Sequence, residues 1–197
     1  MNFSANSPAG LPVILFEQAN QWADWLDEHH ANAAGLWLRL AKKESGLQSI
    51  DYAEALTVAL CYGWIDGQKK RFDEDSWLQK FTPRSAKSIW SKVNREKALH
   101  LIETGQMKPA GLRAVQAAQQ DGRWAAAYEA QSKATVPDDL QAELDTYPDA
   151  QAFFATLDSR NRYAILFRIQ TAKKPETRLK RIQQFVEMLR SGEKLYP

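Results

Sequence analysis

Cysteine is almost absent: Cys61 is the only one in 197 residues. An intrachain disulfide is therefore excluded, which fits a reducing compartment. No run approaches the ~20 apolar residues that a membrane helix needs. The opening MNFSANSPAGLP has neither a basic start nor an apolar core of signal-peptide length. These absences lead us to expect a cytoplasmic protein without a membrane span. Net charge is small, +2, and gives no compositional argument for nucleic acid. There is no P-loop, no dinucleotide fingerprint and no G-x-S-x-G. Histidine is scarce too. His29 and His30 are adjacent and would diverge on a helix, and His100 stands alone. No metal and no cofactor are expected.

Apolar residues, by contrast, make up 44% of the chain and aromatics 11%, including seven tryptophans. That is enough for a core and argues against disorder. The length suits one domain, or one with a helical appendage. Charge comes in blocks. Residues 1–66 carry 3 basic and 8 acidic side chains, 67–120 carry 11 and 5, 121–158 carry 2 and 8, and 159–197 carry 10 and 3. Such blocks either pack acid against base or present separate basic faces.

Residues 1–11 read as a loose tail. Pro12 to Phe16 reads as a buried strand. Trp22, Trp25 and Leu26 share a face of a helix over Ala19–Glu28. Leu36, Leu38 and Leu40 alternate with Trp37, Arg39 and Ala41, which predicts a strand over 36–42. Asp51 and Glu54 open a helix that ends near Gly63 to Gly67. Two strands, 68–72 and 77–82, then flank Asp-Glu-Asp-Ser as a hairpin. A helix is expected from Ser85 to a stop at Gly105, and another behind Pro109. Beyond Pro137 only helices are expected, over about 137–146, 149–157, 159–172 and 175–190. Pro148 and Pro175 sit at two of their starts. Arg123–Thr135 reads as helix or linker. The fold class is α+β: a small, mainly antiparallel sheet with helices packed on it, then an all-helical C-terminal segment. We expect domains at 1–134 and 135–197. Phe153, Phe154, Tyr163, Phe167, Ile182 and Phe185 are expected to form one apolar cluster.

The densest cluster of chemistry lies between Ala59 and Asn94. Asp66, after Trp64, either orients a ligand, pairs with Arg84 or makes a helix-exit turn. Arg84 precedes Ser85, Ser88, Trp90, Ser91 and Asn94. Such hydroxyls cap a helix or bind an anion at its start, and an arginine grips a carboxylate or phosphate with two N–H groups. Lys42, Lys43, Lys69, Lys70 and Arg71 read as solvated strand-edge charge. Lys173, Lys174, Arg178 and Arg181 open an amphipathic helix, and this basic surface meets either the acidic 121–158 block or an acidic partner. Cys61, among apolar residues, reads as inert packing.

Four stretches carry a resemblance: LCYGWIDG (60–67), FTPRSAKSIWSKVN (81–94), MKPAGL (107–112) and AKKPETRLKRI (172–182). Together they resemble the YdeI/OmpD-associated, bacteriocin-protection family across about Phe16 to Gly192. The resemblance implies an association with resistance to cationic antimicrobial peptides and raises a periplasmic location. It supplies no catalytic residues. The expected function is small-ligand binding or stress protection without chemistry. The ligand would carry an anionic group and a flat or apolar part, held by Trp64, Asp66, Arg84, Ser88, Trp90 and Asn94. One alternative is an enzyme with Asp66 as general base. Another is a module that binds an acidic partner or nucleic acid through the basic helices of 160–194.

Overall fold

The computed structural model describes residues 10–197. The expected tail over 1–11 therefore lies, up to residue 9, outside the described residues. The described chain divides into two compact units. One runs through Ile89 and adds Asn94–Ala125; the other comprises Trp90–Val93 and Ala126–Pro197.

The first unit holds a four-stranded sheet. Its strands are β1 (Val13–Ile14), β2 (Leu36–Ala41), β3 (Trp64–Arg71) and β4 (Ser76–Pro83), in the order β1-β2-β4-β3. The expected antiparallel pairing holds for β2–β4 and β3–β4, while β1 runs parallel to β2 with Val13 beside Trp37. Leu36, Leu38 and Leu40 lie opposite Phe81, Gln79 and Trp77, so these six side chains share one face. Trp22 of helix α1 (Ala19–His29) packs within 6.0 Å of both Phe81 and Trp64, and Trp25 stacks on Trp22. The other face carries a smaller core of Val13, Trp37 and Leu78, with Leu11 and Phe72 against it. Lys70 and Arg39 lay their cations over Trp37 and Phe72 there, shielding the rings while staying wet.

Helix α2 (Tyr52–Cys61) opens on the expected capping box. The Asp51 carboxylate accepts the Glu54 amide at 2.7 Å, and Glu54 returns to the Asp51 amide at 2.9 Å. Its exit differs from the expectation. The helix ends at Cys61 and β3 begins at Trp64, so Trp64-Ile65-Asp66-Gly67 is strand and not a helix-exit turn. Gly63, at φ +72°, reverses the chain in a single residue, a conformation that costs glycine nothing. A register shift between Asp66 and Lys69 marks a bulge. The buried Gln79 amide donates to the Gly67 carbonyl at 2.9 Å inside it, which supplies the partner that the broken ladder lacks.

The helix expected from Ser85 starts only at Lys92 (α3, Lys92–Glu103). In the second unit Ser91 forms an isolated parallel bridge with Tyr128. The Tyr128 amide donates to the Trp90 carbonyl, and the Lys92 amide to the Tyr128 carbonyl. Those groups are committed sideways and cannot begin a helix. Helix α4 (Pro109–Gln120) has Pro109 in its first turn, and its neighbour Lys108 donates its amide to Cys61 at the end of α2.

The second unit is helical, as expected: α5 (Asp138–Thr146), α6 (Pro148–Thr156), α7 (Ser159–Gln170) and α8 (Pro175–Arg190). Arg123–Thr135 carries a single 3₁₀ turn at Gln131–Lys133. The core is one cluster that includes Leu140, Leu144, Phe154, Ile165, Ile182, Phe185 and Leu189. Phe153 packs on its margin. Tyr163 and Phe167 depart from the expected cluster: the Phe167 ring meets Tyr128 edge-on at 4.9 Å and Tyr163 at 5.8 Å. On α7 those two side chains lie four apart, on a flank beside the stripe of Ile165, Leu166 and Ile169.

Candidate functional site

The residues expected around 64–94 are distributed as follows. Trp64 is 1% exposed, and its indole donates to the His30 carbonyl at 3.2 Å. It is core on the helix-covered face of the sheet. Asp66 lies two residues on along the same face and accepts the Tyr52 hydroxyl at 2.8 Å. Arg84 follows β4; its amide donates to Gly63 and its guanidinium to the Ile89 carbonyl at 3.2 Å. The Ser88 hydroxyl oxygen accepts the Ser85 amide at 3.0 Å, an ordinary turn made from a serine. Trp90 is buried and falls in the second unit, whereas Asn94, in the first turn of α3, falls in the first.

Arg123 was not singled out from sequence, although it shapes this stretch. It is 7% exposed, grips Asp121 at 2.7 Å and donates to the Ser88 carbonyl at 2.9 Å. Its buried charge is thus paired and hydrogen-bonded, and it holds the 85–88 turn in place. An Asp-Gly-Arg run between helices was the only sequence signal for it. Cys61 is buried, and burial pushes its thiol pKa up, with Lys108 pulling the other way. A thiol so placed is packing and not a nucleophile. Among the described residues no group of three His, Cys, Asp or Glu side chains is placed to hold a metal. No helix among them is long and apolar enough to cross a membrane.

The second unit contains a cleft of about 300 Å³. Its polar wall is Lys92, Glu129, Gln170 and Arg178; Leu166 and Pro137 are among its apolar members. Lys92 forms an ion pair with Glu129. The Glu129 carbonyl accepts the Tyr163 hydroxyl at 3.0 Å, and the Glu129 amide meets the Gln170 side-chain oxygen at 3.3 Å. Burial raises the Tyr163 pKa, with Tyr128 adding to it, so this hydroxyl stays a donor. Arg178 reaches the Asp139 carboxylate with two N–H groups, at 2.6 and 2.7 Å, and the Ile169 carbonyl with a third at 3.0 Å. Its pKa is raised and that of Asp139 lowered, each by the bond to the other. Arg181 donates to the Arg168 carbonyl. Two residues of the expected basic surface therefore serve the open carbonyls at the end of α7, where cations are favoured. Lys173 and Lys174 remain exposed.

Residues 133–192 match the family described as "Bacteriocin-protection, YdeI or OmpD-Associated". The 172–182 motif and most of the cleft's helical wall lie inside that match. No curated protein and no solved structure matches the chain. The motifs at 60–67, 81–94 and 107–112 lie within residues 14–114, which match the family described as "Domain of unknown function (DUF8412)". That match spans just over half of the chain, and the chain belongs to this family.

Proposed function

We propose that this protein binds a small ligand carrying an anionic group and an apolar body, without chemistry of its own, and that the ligand enters the cleft of the second unit. The observation that carries this reading is the composition of that cleft. Arg178, and Lys92 beside its partner Glu129, stand with apolar Leu166 and Pro137 around a space of about 300 Å³. Pockets built this way, apolar with a few placed polar groups, bind ligands, and this volume is at the small end of their range. The family description of residues 133–192 supports a protective setting for such binding. Of the residues expected from sequence, Arg178 is the one this reading uses. Trp64 is enclosed in the core, and Ser88 is spent on its turn.

The test is a thermal-shift screen of small carboxylates, phosphates, amides and amines against the intact chain. A ligand that binds only the folded state must raise the melting temperature. Thr135, exposed at the cleft, is replaced by tryptophan in a parallel sample. Ligands that stabilise the native chain should fail with Thr135→Trp. A screen in which every shift survives that substitution would place binding elsewhere and end this reading.

A further inference from the structure

We propose that the ligand of this cleft is a carboxylate, anchored by Arg178, and that Asp139 is its resident competitor: an internal carboxylate that holds the guanidinium until a ligand carboxylate displaces it. This rests on the cleft being the binding site. Arg178 lines the cleft, and a guanidinium presents five N–H donors in a planar fork. Nε and Nη2 are engaged by the two Asp139 oxygens, and Nη1 by the Ile169 carbonyl. The Asp139 bonds are the fork-to-fork geometry by which arginine recognises any carboxylate. The Ile169 bond keeps the guanidinium in place when the fork changes partner.

Asp139 is suited to leave. Its side chain is 45% exposed, against 29% for Arg178, so water receives the released carboxylate. Asp139 also sits in the first turn of α5, where its Oδ1 accepts the Leu140 amide at 3.0 Å. That bond and the helix dipole stabilise the carboxylate without Arg178. The second ion pair of the cleft sharpens the choice of ligand. Glu129 already neutralises Lys92, so a multiply charged anion would find one anchor rather than two. A monocarboxylate with a flat or branched apolar body fits, its body lying against Leu166 and Pro137.

The experiment titrates benzoate and benzamide into the full chain by calorimetry, using wild type, Asp139→Asn, Arg178→Gln and Arg178→Lys. Benzamide matches benzoate in shape and lacks its charge. Benzoate should bind wild type, bind Asp139→Asn about tenfold more tightly, and lose at least tenfold in Arg178→Gln. Arg178→Lys, which keeps the charge without the fork, should also weaken it. It serves as the reporter if the Gln variant fails to fold by circular dichroism. Benzamide should be indifferent to Asp139→Asn. Benzoate that binds Asp139→Asn no better than wild type would overturn the exchange. So would equal binding of benzoate and benzamide in all the proteins. If neither compound binds wild type or Asp139→Asn, the exchange is overturned. The Thr135→Trp screen decides separately whether the cleft reading falls with it.

Discussion

A methyl group on Gly111 would lie 2.3 Å from the Cys61 carbonyl oxygen and 2.3 Å from the Met107 sulfur. Helix α4 thus meets the end of α2 through backbone and cannot tolerate a side chain there. Gly63, across the same contact, adds a positive φ, and its would-be Cβ lies 2.9 Å from the Ala110 carbonyl. Gly111→Ala should therefore cost about 1–3 kcal/mol, as overpacking does. Urea denaturation reads it directly, and an unchanged midpoint with an unchanged slope would contradict the close contact. The LCYG and MKPAGL stretches take their meaning from this junction: they specify packing. Sequence reading placed Trp64 in a possible ligand wall because Trp-x-Asp beside an arginine has that chemistry. Nothing local distinguishes a tryptophan facing a cleft from one facing Trp22 and Trp25 across a sheet. Arg178 was legible as a basic residue. The block that holds its partner, 121–158, was among the alternatives, but which carboxylate, Asp139, 39 positions away, was not legible.

Elements whose signals lie within themselves were read correctly. The α2 cap, the proline starts of α4, α6 and α8, and the helices after Pro137 all follow from short-range rules. Errors fell where a distant partner decides: the start of α3 yields to Tyr128, and the start of β3 to its pairing with Pro83. Asp51→Ala should destabilise by about 1 kcal/mol through loss of the cap. Equal unfolding midpoints for the two proteins would refute that role. Acid sensitivity follows from three carboxylates. The Ser76 hydroxyl, aided by Arg39, holds Asp73 below its ordinary value; the Asn161 amide does so for Asp158; Arg178 does so for Asp139. A carboxylate depressed by folding adds stability above its unfolded pKa of 3.8, and that stability is lost as pH falls through the folded value. Asp158, which caps α7, offers the clean comparison. Asp158→Ala should be less stable than wild type at about pH 6, and the gap should narrow towards about pH 2. A gap of the same size at both would show that its charge is not involved.

At the scale of the whole molecule, each unit has its own core, and the second depends on its last three helices. Leu140 and Leu144 of α5 are fully buried, yet the other buried members of their cluster, including Phe154, Ile165, Ile182 and Phe185, all come later in the chain. The carboxyl-terminal tail adds a polar clasp. The buried Asn161 amide donates to the Tyr196 carbonyl at 2.9 Å and its oxygen accepts the Tyr196 amide at 2.8 Å. Asn161→Leu would leave both tail groups without these bonds, and residues 193–197 should then become the first site of limited proteolysis. A chain ended at Asp145 goes further. It keeps α5 but loses α6, α7 and α8, so the apolar stripe of Leu140 and Leu144 loses all its fully buried partners and faces water. Exposed apolar surface of this kind seeks another copy. The shortened protein should elute as associated species in size-exclusion chromatography and melt at a lower temperature than the intact chain. Association should grow with concentration, because it is driven by burial between copies. Dilution should reverse it unless the shortened chain has unfolded. A monomeric product that melts with the intact protein would mean that α5 is held by something other than the helices after it.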